Sequence, residues 1–91
     1  MTMTTAAPAP TALVLGIAGE QAALTALEPL LAAAQAWQIS AQDELGAALH
    51  ADTETCRRAS ALVTVAVEAH TDLFRLVLRT ERRLAALRRI E

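Results

Sequence analysis

Ninety-one residues allow one small domain, near the lower limit for a chain that stabilises itself alone. Apolar residues are 54% of the chain and aromatics 2%, so any core is built from alanine, leucine and valine. Burial returns roughly 25 cal/mol per Å², of which alanine supplies little, so self-association or a protein partner is expected.

The net charge of −2 hides a polarised chain: residues 1–56 hold no basic residue, while residues 73–91 carry six arginines against Glu81 and Glu91. The lone Cys56 excludes an internal disulfide framework. The first residues lack the basic start of a signal peptide, and no uncharged run reaches the length and apolarity of a membrane span. A cytoplasmic protein, or one attached to an assembly at the cell envelope, is the expectation.

In chain order, residues 1–10 have no periodicity and contain Pro8 and Pro10, which favour extended backbone before them. Residues 1–19 are therefore taken as an N-terminal arm, flexible or extended, with 20–91 as a single helical domain. Within that arm Leu13, Val14, Leu15 and Ile17 suit either a helix capped by Thr11 or a short strand, and no second strand is evident to pair with one. The Gly16-x-x-Gly19 pair lacks the rest of a phosphate-binding loop.

From Glu20 to about His50 the spacing predicts a first helical region. Leu24, Leu27, Leu31, Ala34, Gln38, Ala41, Leu45 and Ala48 alternate steps of three and four, with Leu30 and Trp37 beside them. Pro29 predicts a kink or a fresh start, and Ser40 with Asp43 resembles a cap that would break the helix again. Asp52 or Thr53 then caps a long helix over 53–91. Its stripe runs through Leu62, Ala66, Ala69, Leu73, Leu76, Leu84, Leu87 and Ile90, widened by Val63, Val67, Phe74 and Val77. The fold class expected is all-α: a hairpin with a short, kinked first helical region and a long amphipathic C-terminal helix.

That unequal hairpin predicts a docking surface. Helix from Pro29 to His50 reaches about 33 Å against about 58 Å for the long helix, leaving the latter uncovered beyond Phe74. Phe74, Val77, Leu84, Leu87 and Ile90 would then meet a partner, with Arg79, Arg82 and Arg83 on the rim selecting an acidic one. The basic, amphipathic end also suits an anionic membrane surface, and more weakly a nucleic acid, against which the acidic remainder counts.

No catalytic, cofactor or metal constellation emerges. His50 and Glu54 share a four-residue step, but His70 stands apart from them, short of the three or four ligands a metal needs. Cys56 beside Arg57 and Arg58 at a helix start favours a thiolate yet has no general base in view. Ser60 lies mid-helix, not on a nucleophile elbow. Trp37 and Phe74 are too few to form a stacking platform for single strands.

One segment resembles a known family. Leu49-His50, then Arg58-Ala59-Ser60, Ala66-Val67-Glu68 and Leu73, is similar to the C-terminal helix of the FliE-type flagellar rod proteins, over residues 49–73 only. The chain departs from that family's Gln-Val-Arg-Asn run with Glu68-Ala69-His70-Thr71, and adds an arginine-rich tail. The resemblance implies an axial role in a bacterial protein-export apparatus, without catalytic residues. Together these readings predict a non-catalytic helical assembly or adaptor subunit.

Overall fold

The computed structural model describes residues 10–91. It is a helical hairpin of two equal helices, α1 (Thr11–Ala48) and α2 (Thr53–Ile90), each of 38 residues. The expected arm at residues 1–9 lies outside the described residues, while 11–19 are helical and belong to α1.

The first helix is thus longer than its breakers predict. Pro10, not Thr11, occupies the N-cap position, and its carbonyl accepts from Leu13 N at 2.9 Å and Val14 N at 3.1 Å. Pro29 is interior to α1 and exposed. Its ring faces solvent and does not meet α2, so the cost stays within α1, a missing backbone hydrogen bond and crowding of the preceding turn, and packing on both sides of it holds the helix continuous. The predicted break at Ser40 is absent for a similar reason: Ala34, Ala41 and Ala48 are buried on either side of it.

A seven-residue repeat joins the helices. In α1 the buried residues Leu13, Leu27, Ala34, Ala41 and Ala48 fall on one position of the repeat. Ile17, Leu24, Leu31, Gln38 and Leu45, half-buried, fall on the other. In α2 the inward series is Cys56, Ala59, Val63, Ala66, His70, Leu73, Val77, Thr80, Leu84 and Leu87, of which Ala66, Thr80 and Leu84 are buried. Alternating steps of three and four are the signature of a left-handed antiparallel coiled coil. Alanine at four of the buried positions lets the axes approach toward the close end of the usual 8–10 Å.

The α1 seam follows the predicted stripe. The α2 seam follows it only in part: Ala66, Leu73, Leu84 and Leu87 face α1 as predicted, but so do Val63, His70 and Val77, whereas Leu62, Ala69 and Leu76 lie one position aside. The apolar surface of α2 is wider than one helix can cover, so the phase of α1 selects which part is buried.

The turn is short. Ala51 N donates to Ala48 O at 2.9 Å, and Asp52 caps α2. Its carboxylate accepts from Thr55 N at 2.9 Å and from the Thr55 hydroxyl at 2.8 Å.

Candidate interaction surfaces

Because α1 runs the full length of α2, the uncovered end required by the sequence-based docking site does not exist. Leu84 is only 6% exposed, and Val77 and Leu87 are half-buried on the seam. Gly16 is so close to Leu87 that a Cβ there would stand 3.2 Å from Leu87 Cδ1. Phe74 remains exposed and stacks on His70, with ring centroids 6.4 Å apart. Ile90 and the arginines Arg79 and Arg82 are exposed as well. The eight predicted residues therefore fall on several sides of α2 and do not form one face.

Arg83 is part of a polar node across the hairpin. Its Nε donates to Glu20 Oε1 at 2.8 Å, and its Nη2 donates to the Thr80 hydroxyl at 3.2 Å. The Thr80 hydroxyl in turn donates to Leu76 O at 2.8 Å, so this 1% exposed side chain is satisfied. Glu20 occupies a seam position of α1, and the bond fixes one register of the two helices. With Arg83 half exposed, the pair contributes little energy, about 0–1 kcal/mol, but excludes slipped pairings that bury Glu20 alone.

Two edges of the hairpin differ. The edge carrying Gly16, Glu20 and Arg83 also bears Leu30 and Trp37 from α1 and Leu62, Ala69 and Leu76 from α2. Leu30 is 52% exposed and Trp37 40%, with Leu62 and Leu76 between 36% and 39%. The signal for this row was present in the sequence as a spacing of seven on α1 and fourteen on α2. The sequence pattern puts Leu62, Ala69 and Leu76 in the stripe of α2 but Leu30 and Trp37 only beside that of α1, because a sequence does not say which stripe meets its partner.

The outer face of α2 is charged. Arg75, Arg79, Arg82 and Arg89 are exposed there and form no ion pair among the described residues. Near the turn the arginines are engaged instead. Glu54 binds Arg57 at 2.6 Å and Arg58 at 3.0 Å, which holds the Glu54 carboxyl below its ordinary range and raises the Arg57 guanidinium. The bonds from the Thr55 backbone and hydroxyl likewise lower Asp52.

An open groove beside the turn is lined by Leu49, Thr53, Cys56, Arg57, Ser60 and Thr64. Its only nucleophiles are one half-buried thiol and small hydroxyls, and Arg57 is tied to Glu54. Among the described residues no three His, Cys, Asp or Glu side chains converge, and no helix is long and apolar enough to cross a membrane. No family model, curated protein or solved structure matches the chain.

Proposed function

We propose that this chain is a non-catalytic helical subunit that builds into a larger protein assembly by lateral packing of its hairpin. One observation carries the reading. Although α2 accompanies α1 from end to end, Leu15, Leu30, Trp37 and Ile39 stay 40–66% exposed on the other sides of α1. A helix that is apolar all round belongs in an interior, and one neighbour cannot supply it. Association involves both helices along their length rather than a free end of α2. An axial component of a protein-export apparatus, as the resemblance of residues 49–73 implies, is one form such an assembly takes, in the cytoplasm or at the cell envelope.

The test is the mass of the tagged chain isolated gently from its native host, beside that of the purified chain at micromolar concentration. A species larger than 9.6 kDa is expected in at least one. A folded 9.6 kDa monomer in both overturns the reading.

The exposed, unpaired arginines of α2 support a second reading, a module that binds an anionic surface, membrane or nucleic acid. Such binding weakens steeply with added salt. Absence of co-sedimentation with anionic vesicles and of any shift of duplex DNA at low salt removes it.

A further inference from the structure

The apolar edge has a specific occupant. Between Gly16 and Glu44 it carries Leu30, Trp37, Leu62, Ala69 and Leu76, and its one interior charge, Arg83, is matched by Glu20. Next to this row, the adjoining side of α1 presents Gly19, Ala26, Ala33 and Ser40, small residues that allow another helix to approach closely. The edge is about 57 Å long and, with helix axes roughly 10 Å apart, about 20 Å wide. Its area is of the order of 1,000 Å², comparable with the roughly 800 Å² per partner of a stable complex.

Charge decides what fits. The first helix carries Glu20, Glu28, Asp43 and Glu44 and no basic residue, a net −4. The second carries eight arginines against four carboxylates, a net +4. A second copy of the chain can turn its own apolar edge to the first in two symmetric ways. With the turns at opposite ends, each helix faces its equivalent, −4 against −4 and +4 against +4. With the turns at the same end, each α1 faces the partner's α2, so a helix of net −4 meets one of net +4. The second way also lets the apolar rows interdigitate, because, by the register that pairs Glu20 with Arg83, Leu30 falls between the levels of Ala69 and Leu76, and Trp37 between those of Leu62 and Ala69. By the register that pairs Glu20 with Arg83, Glu44 comes level with Arg58, whose side chain is 77% exposed even while it binds Glu54.

We infer that the edge bearing Leu30, Trp37, Leu62 and Leu76 is a homodimer interface, forming a four-helix bundle in which α1 of each copy packs on α2 of the other, both turns at one end. This rests on the assembly reading above and names its first partner.

The purified full chain tests it. Sedimentation equilibrium at micromolar concentration should give twice 9.6 kDa. A spin label on Ala51→Cys in a Cys56→Ser background should show a separation below about 30 Å, since bundle helices lie roughly 10 Å apart. Trp37→Glu with Leu76→Glu should yield a monomer of unchanged helicity. Should that pair disturb folding, the exposed positions Glu44→Arg and Arg58→Glu serve instead. Either reversal alone should weaken the dimer roughly tenfold, and both together should restore it. A dimer with label separations above about 50 Å, the length of the helices, overturns the arrangement. So does failure of the double reversal to restore association. A purified monomer that enters a larger species only in its host overturns the second copy as partner and leaves the assembly reading standing. A monomer in both settings ends both.

Discussion

Gly16, Gly19 and Gly46 all lie in α1, yet only Gly16 meets a neighbour. A Cβ at Gly19 or Gly46 would enter open space in the lone chain, and Gly46, away from the proposed interface, tests this: Gly46→Ala is expected to raise the unfolding free energy by up to about 1 kcal/mol, read by urea denaturation. Gly16→Ala should gain less, because Leu87 must shift by a few tenths of an ångström. The capping carboxylates set the acid response. Asp52 and Glu54 have folded pKa values depressed below their ordinary 3.8 and 4.5. Their contribution is therefore complete above those ordinary values and is lost as pH falls through the lower, folded ones. The melting temperature of the hairpin should hold from pH 7 to about pH 5 and decline below about pH 4.5. Asp52→Asn keeps the acceptor for Thr55 N but does not titrate, so this variant should show a shallower acid decline by circular dichroism.

At the scale of the helices, Pro29 and Leu84 separate local preference from packing. Proline in a helix interior costs about 3 kcal/mol relative to alanine, and here its ring is exposed with no tertiary role evident. Pro29→Ala is accordingly expected to stabilise the hairpin by about 1–3 kcal/mol, measured by denaturant midpoint at constant slope. Leu84 behaves in the opposite sense. An uncovered overhang would tolerate Leu84→Asp with Leu87→Asp, losing association but not helicity. With Leu84 6% exposed and Leu87 against Gly16, the same pair should unfold the hairpin. Leu84→Ala alone should cost about 2–5 kcal/mol, whereas Ile90→Ala, at 68% exposure, should fall within about 0.5 kcal/mol of the parent.

The whole molecule has one layer of core between two helices, lined largely by alanine. A hairpin of this kind leaves a large apolar share of its surface outside the seam, so the lone chain is marginal and association adds to stability by mass action. The thermal midpoint of the purified chain should consequently rise with protein concentration between about 1 and 100 µM, as it does for any folding-linked dimer. A midpoint independent of concentration would show that the seam alone suffices. Added salt supplies a contrast: the helices carry −4 and +4, and screening over roughly 10 Å at 0.1 M reduces attraction between them.

Much of the fold is legible without coordinates, and the reasons are local. The three-four alternation of Leu24, Leu27, Leu31 and Ala34 requires a helix with one buried stripe, and Asp52 or Thr53 as a cap marks where the second helix begins. The acidic first part of the chain and its basic last part are likewise written in the sequence. The length of α1 was not, because Pro29, Gly16 and Gly19 are breakers by propensity, and only tertiary packing outweighs propensity. Nor was the seam of α2, where Leu62, Ala69 and Leu76 compete with Val63, His70 and Val77 for the same partner. The tertiary structure decided both by one fact: α1 brings Glu20 level with Arg83 and Gly16 against Leu87, which covers the end of α2 and turns Leu62 and Leu76 to the open edge.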